Sequence, residues 1–297
     1  MKYYNDEILS LYDEYLMSEI IEQKIFCIDK TSSISPIISP VDTIQSRLVE
    51  NIEELGLKYL LNYQTQKIGD VMNLFSFFDL YPYINKTEPY KESIKGISLN
   101  NSDKSSEISR IMNDRKSIRK FSGKQISFDN ISNILLNVTN SRFNEEDGFW
   151  HRNISSGGGL YPIDIFLYAH NIEKLDRNFY KLNPINKRLS IVDLDSYSKI
   201  KNIFPSSFII DFKHMGGIFL FSFDYLKVYQ KYGELTLSLG LVEVGLIAES
   251  IHLLSTSHGI GTCDIGGFDK PLCESVLKLD GINNHAVYAI VFGDRIC

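Results

Sequence analysis

The stretch Val228-Tyr-Gln-Lys-Tyr-Gly-Glu234, a long apolar run, and then His258-Gly-Ile-Gly-Thr-Cys-Asp-Ile-Gly-Gly-Phe268 decides how this chain folds. Between Glu234 and His258 only Gly240 and Gly245 weaken a helix, so the pattern predicts one helix roughly 37 Å long at 1.5 Å per residue. Its apolar residues, from Leu235 through Leu239, Val242 and Leu246 to Leu254, fall on every side and form no single stripe. A helix apolar all round is central in a core, lies at a subunit interface or crosses a membrane. Glu243, Glu249 and His252 interrupt it too often for a spanning helix. The expectation is a central helix, shared with a second subunit if one is present. Lys231 and Tyr232 stand at its entrance and a Gly-rich turn closes its exit. Amines and phenols transfer protons, and such turns let backbone approach a ligand closely.

The rest of the composition narrows the class. At 297 residues with 43% hydrophobic content, the chain can bury a sizeable core in one large domain or two unequal ones. A net charge of −6 argues against a protein that coats nucleic acid or an anionic membrane. The N-terminus is acidic and polar and has no signal-peptide pattern, and the four scattered cysteines read as reduced thiols. Together these predict a cytoplasmic protein. Six histidines show no metal-ligand spacing, so no metal site is expected.

Residues 1–106 differ in character from the remainder of the chain. Ile8 to Ile25 and Val41 to Tyr63 read as helices, the Ser- and Pro-rich Thr31 to Pro40 as a loop, and the aromatic Leu74 to Ile84 as core or as a docking surface. Asn100 to Ser106 is a polar linker candidate, which makes 1–106 a mainly helical region and 107–297 a second domain. In the second, Arg115-Lys-Ser-Ile-Arg-Lys-Phe121 gathers cations around a serine, a set suited to phosphate or simply to a solvated face. Ser127 caps a helix from Phe128 to Val138, and Asn144 to Gly148 is an acidic loop. Ser155-Ser-Gly-Gly-Gly-Leu-Tyr-Pro162 precedes a strand, Ile163 to Ala169. It is therefore not the dinucleotide fingerprint, whose glycines open a helix after a strand. Asn178 to Asp193 predicts a hairpin turning at Asn183–Asn186, Leu194 to Ile203 a helix, and Gly217 to Ser222 and Ala286 to Phe292 strands. Without regular βαβ spacing the class is α+β with a mixed or antiparallel sheet.

Five motifs occur in one order: Arg115-x-Ser117-x-Arg119-x-Phe121, Ser156-Gly-Gly-Gly-Leu-Tyr-Pro162, the Tyr180–Leu189 hairpin, Lys231-Tyr232-Gly233, and Gly259-Ile-Gly261 through Gly266-Gly-Phe268. In that order they resemble the FMN-dependent nitroreductase superfamily over about residues 107–297. More narrowly they resemble its SagB-type azoline dehydrogenases, which act in thiazole/oxazole-modified peptide biosynthesis. The resemblance implies a homodimer with flavin at the interface. It implies that Arg115, Lys116, Ser117 and Arg119 hold the FMN phosphate and ribityl chain, and that Arg295 reaches the same phosphate. Ser155, Ser156, Gly157 and Gly158 would contact the flavin from a second side, and Ile265, Gly266 and Gly267 would lie along its ring. Lys231 and Tyr232 would be the catalytic pair. Where the family often has a His and then a Gln along the central helix, this chain has Leu246 and Glu249.

The chemistry of azoline oxidation needs such a pair. The azoline α-carbon, beside an imine and a carbonyl, carries an acidic proton, and an amine or phenol can act as its base where desolvation or a neighbouring cation lowers the pKa. Taken alone, Lys231 and Tyr232 read as a snorkelling lysine and a half-buried tyrosine, and it is the surrounding motifs that favour catalysis. The partners implied are an azoline-containing precursor peptide and the cyclodehydratase subunits of a synthetase complex. Two other functions compete: an NAD(P)H-dependent nitro or quinone reductase, and a flavin-less scaffold of such a complex.

Overall fold

The computed structural model describes residues 97, 106–146, 148–193, 199–204 and 210–296. The expectations for helices, a loop and an aromatic segment before residue 97 lie outside the described residues. Ser106, at the end of the expected linker, is the N-cap of α1 (Glu107–Asp114), its Oγ accepting from Ser109 N at 3.1 Å.

Six strands make one sheet in the order β5-β4-β3-β6-β8-β7, and every neighbouring pair is antiparallel. They are β3 (Ile163–Ala169), β4 (Phe179–Asn183), β5 (Arg188–Asp193), β6 (Gly217–Asp224), β7 (Ile260–Ile265) and β8 (Asn284–Asp294). The sheet is thus antiparallel, the second of the two expected alternatives. β6 lies at its centre and is buried from Gly217 to Phe223. Side chains alternate across a strand, so Phe219, Phe221 and Phe223 enter one core while Ile218 and Leu220 enter the other. Both faces being covered explains why this strand reads as a continuous apolar run. Each such phenylalanine stabilises the fold by about 1.5–3 kcal/mol on burial.

The first core is closed by α2 (Phe128–Thr139) and α5 (Thr236–Ser257). Ser127 caps α2, its Oγ accepting from Asp129 N at 3.2 Å, and Ile131, Ile134, Leu135 and Val138 form the buried stripe. The predicted central helix is α5, starting two residues later than the pattern suggested. Before it come α4 (Tyr225–Tyr232) and a single 3₁₀ turn, Gly233–Leu235. The run Tyr225–Ser257 has a mean hydropathy of 1.6 and is long and apolar enough to cross a membrane. It is broken at Gly233 (φ 51°), and its buried Glu243 and His252 are both bonded within the protein, as in a core helix. At Gly240 the Phe223 ring occupies the space a side chain would need, so helix and sheet meet closely there. The opposite side of α5 leaves Leu241, Val242 and Leu246 exposed, as is Leu235 in the turn before it, and a Cβ on Gly245 would meet nothing within 4 Å.

The second core is closed by α6 (Lys270–Leu277) and the short α3 (Ile200–Ile203), the described part of the helix expected from Leu194. It encloses an ion pair. Lys270, 2% exposed, lies 2.6 Å from the Glu274 carboxylate, which also accepts from Ala286 N at 3.0 Å. His285 sits 3.2 Å from Lys270 Nζ through Nδ1 and 2.9 Å from Ile282 O through Nε2. Burial lowers the His285 pKa, and a neutral ring donating from Nε2 and accepting at Nδ1 satisfies both contacts.

Two features depart from the expectations. The exit of α5 is closed by a turn at His258–Gly259, as expected, but Gly261 just beyond it belongs to a strand, β7, where it is forced small because a Cβ there would strike Ile118. The acidic loop at Asn144 is the tip of a separate two-stranded sheet, β1 (Ser141–Asn144) and β2 (Phe149–Arg152). Glu274→Ala should strand the Lys270 charge in the second core and cost about 3–5 kcal/mol. The double change Lys270→Met with Glu274→Leu should cost much less. Urea unfolding of both variants checks this ordering.

Candidate functional site

The turn that carries Gly157–Gly159 and the end of α4 meet. Gly158 and Gly159 have φ of 63° and 69°, and Tyr161 comes after them at 50°. A left-handed backbone favours glycine, and at Gly158 space demands it as well. A Cβ there would lie 2.5 Å from Tyr232 Oη and 2.6 Å from Lys231 Nζ. Lys231 Nζ stands 5.4 Å from the Tyr232 ring centroid, so an ammonium and a phenol converge on one stretch of backbone. Lys231 is exposed and Tyr232 half-buried.

A polar support lies beneath them. Ser156 Oγ accepts from Tyr161 N at 2.8 Å, and the Ser156 side chain is hydrogen-bonded to Glu243 of α5. Tyr161 Oη accepts from Arg152 N at 2.8 Å, its ring carries the Arg152 guanidinium 4.5 Å from the centroid, and its carbonyl accepts from Lys227 Nζ at 3.1 Å. Glu243 is only 4% exposed. Burial pushes its carboxyl above the ordinary range, and the Ser156 bond, the Arg152 and Lys227 cations and the Ile163 N–H oppose this without cancelling it.

The second group forms around β7. Ile118 N donates to Thr262 O at 2.8 Å, Ser117 bridges Thr262, and Phe121 bridges Arg295, so residues 117–121 run in extended form along β7 and the end of β8. This holds Arg115, Lys116, Ser117 and Arg119 in one short segment beside Arg295. Arg295 Nη2 donates to Thr256 Oγ1 at 3.2 Å, while its buried Nε has no hydrogen-bond partner among the described residues. A buried guanidinium N–H left unmet is costly, and an anion placed there would relieve it. At the other end of β7, its last residue Ile265 is buried, while Gly266 and Gly267 just beyond it are exposed. Behind the strand, His252 of α5 bonds Thr262 Oγ1 at 2.6 Å and Asp264 Oδ1 at 2.8 Å. Burial would raise the Asp264 carboxyl, yet His252 and Tyr288 hold it below the ordinary value.

These two groups occupy opposite ends of α5. Thr236 opens the helix beside Lys231 and Tyr232, and Thr256 near its close meets Arg295, roughly 30 Å away at 1.5 Å per residue. The structure therefore brings Ser155–Gly158 to Lys231 and Tyr232, and Arg115–Arg119 to Arg295, but separates the two sets within one chain. Leu246 and Glu249 lie on the outward side of α5. Tyr161 belongs to the Gly-rich motif, where sequence assigns it no role, whereas Arg152, Lys227 and Asp264 have no signal in spacing or composition. His252 reads in sequence only as a polar interruption of the helix.

The raised Glu243 pKa has a testable sign. The folded state holds this proton more tightly than the unfolded chain. Its contribution to stability is thus present below about pH 4.3 and is lost as pH rises through the folded value. Denaturant midpoints followed from pH 4 to 8 should fall more steeply in the wild type than in Glu243→Gln, and parallel curves would refute the assignment.

Comparison with known proteins agrees with this architecture. The nitroreductase family profile matches residues 112–294. A Methanocaldococcus jannaschii protein named as a nitroreductase is 25% identical over 173 residues, 56% of this chain and 81% of that one. Among solved structures, a chain of the E. coli microcin synthetase McbBCD complex with truncated pro-MccB17 bound matches with a TM-score of 0.65. It is 17% identical and covers 85% of this chain and 97% of that one. A Ralstonia eutropha protein described as a nitroreductase matches with a TM-score of 0.53 and 16% identity, covering 68% of this chain and 89% of that one. With its six-stranded antiparallel sheet, its central helix and a family match over residues 112–294, the chain belongs to the nitroreductase family.

Proposed function

We propose that this nitroreductase-family oxidoreductase is an FMN-dependent dehydrogenase that converts azolines to thiazoles or oxazoles in a ribosomally made precursor peptide. The observation that carries the reading is the meeting of Lys231 Nζ and Tyr232 Oη at Gly158. The orphaned Arg295 Nε beside the Arg115–Arg119 segment fits a phosphate, which supports a mononucleotide cofactor. Arg115, Lys116, Ser117, Arg119 and Arg295 would hold that phosphate, and Ser155–Gly158 with Ile265–Gly267 would hold the ring. FMN, when bound, supplies the acceptor for the hydride that leaves the ring carbon beside the azoline α-carbon.

The chain's own part is the proton. Lys231 Nζ or Tyr232 Oη removes it from the α-carbon, and the other head group orients the ring and offsets the negative charge that develops. Glu243 and Ser156 fix the turn against which both groups stand. The McbBCD structure, solved with a truncated pro-form of its microcin, covers a larger share of this chain than the R. eutropha nitroreductase does, which supports a peptide substrate and synthetase partners. The cyclodehydratase that makes the azolines would be the partner, with residues 1–106 serving assembly or peptide docking.

We further read the site as shared between two copies. One chain separates its cation set from its Lys231–Tyr232 pair by most of the length of α5, and the exposed apolar side of that helix, open at Gly245, suits a second α5 laid against it. An antiparallel arrangement would bring one copy's pair to the other's cations.

Anaerobic addition of an azoline peptide should bleach bound flavin absorbance in the purified protein, whereas NADPH alone should not. Bleaching by NADPH alone would assign a general nitro or quinone reductase, and protein purified without flavin would leave the scaffold. Lys231→Met with Tyr232→Phe should retain flavin and lose azole formation by at least about 10²-fold. Co-expressing that variant with Arg295→Ala should restore activity through mixed dimers, each holding one intact site. A mixture as inactive as its parts would place both groups in one chain.

A further inference from the structure

Lys227 and Lys231, four residues apart, share a face of α4, whose N-cap is Asp224. All three meet the Gly-rich segment, each further back along it. Asp224 N donates to Pro162 O at 3.0 Å and Lys227 Nζ to Tyr161 O at 3.1 Å. Lys231 Nζ then stands where a Cβ on Gly158 would come within 2.6 Å. The helix is therefore docked along residues 158–162 in the reverse chain direction. Lys227 supplies the middle contact, one turn before the pair.

Tyr161 needs such a hold. A φ of 50° is sparsely populated by a bulky residue and persists only where the surroundings over-determine it. Every polar group of Tyr161 is engaged: N donates to Ser156 Oγ, O accepts from Lys227, Oη accepts from Arg152 N, and the ring carries the Arg152 guanidinium. The Ser156 and Arg152 contacts come from the Gly-rich segment itself and from β2. The Lys227 bond comes from the helix that ends in Lys231 and Tyr232, so it alone of the four ties the conformation of Tyr161 to the position of the pair. The Lys227 charge also acts on the buried Glu243, and one ammonium thus bears on both the turn and the carboxyl beneath it.

We propose that Lys227 is a positioning residue for the proton transfer: by holding the Tyr161 carbonyl it keeps that residue left-handed, and so keeps the Gly158 backbone where Lys231 Nζ and Tyr232 Oη converge on it. The assignment rests on the dehydrogenase reading. Release of the carbonyl lets Tyr161 relax toward negative φ and moves Gly158 relative to both head groups. Lys227 itself touches neither substrate nor flavin in this role.

Lys227→Met keeps the aliphatic stem and removes the donor, whereas Lys227→Arg keeps a donor. In the holoprotein, anaerobic single-turnover bleaching of flavin by a saturating azoline peptide should slow at least about tenfold in Lys227→Met. That rate is counted per bound flavin, so it is blind to any loss of folded protein. The peptide concentration giving half the maximal rate should keep its wild-type value, as should the rate of flavin reduction by dithionite. Lys227→Arg should recover most of the loss. Tyr161→Gly supplies a second check, because glycine adopts a left-handed backbone without being held. Adding Lys227→Met to that variant should slow bleaching by much less than about tenfold. An unchanged rate in Lys227→Met, or its full penalty in the Tyr161→Gly background, would overturn the positioning role while leaving the dehydrogenase in place. A raised half-saturating concentration at an unchanged maximal rate would make Lys227 a peptide contact and overturn the role equally. Wild-type flavin that no azoline peptide bleaches would sink the dehydrogenase reading and this role with it.

Discussion

The close seat of α5 on the sheet, where the Phe223 ring fills the space a side chain at Gly240 would need, controls the placement of everything chemical in this fold. A helix of 22 residues pinned near one end carries its termini to fixed positions. The N-terminal end receives α4, and with it Lys231 and Tyr232. The C-terminal end turns tightly into β7, which runs back along the helix and carries the edge on which residues 117–121 lie. Sliding α5 by one turn would move both sets by about 5.4 Å. Buried bonds from Glu243 to Ser156 and from His252 to Thr262 and Asp264 oppose such a slide.

Those two buried polar contacts work in opposite electrostatic senses. Glu243 is held where burial favours its protonated form, so it acts as much by hydrogen bonding as by charge. Asp264 is held ionised by His252 and Tyr288 in spite of burial. One end of α5 is thereby braced against the Gly-rich turn and the other against β7, each through a carboxyl group suited to its surroundings. The third buried network, Lys270 with Glu274 and His285, ties α6 to β8 on the side of the sheet opposite α5.

Much of this is legible in the residues. The apolar run of β3, the Asn183–Asn186 turn, the Ser127 cap and the apolar length of α5 are local signals, and the elements stand where those signals put them. The strand β7 escapes such a reading because its glycines signal a turn locally, whereas Gly261 is small to admit Ile118, a partner far away in sequence. The hairpin β1–β2 escapes it for a related reason: four-residue strands with exposed aromatics lack the alternation that burial imposes. In the site, motif order picks out the glycines, Lys231 and Tyr232. The support from Arg152, Lys227 and Asp264 depends on contacts that no spacing encodes.

Lys231 and Tyr232 are consecutive, and on a regular helix neighbouring side chains diverge by about 100°. Their head groups meet because α4 ends there: Tyr232 has already left helical geometry (φ −121°, ψ −4°), and Gly233 at φ 51° turns the chain into the 3₁₀ segment. The unit that brings the two head groups together is therefore a helix terminus with its stop glycine, and the dipeptide is only part of it. Grafting lysine and tyrosine into the middle of a helix in a related scaffold would reproduce the letters and scatter the groups. Any chain that is to bring such a pair together must break the helix after it as well.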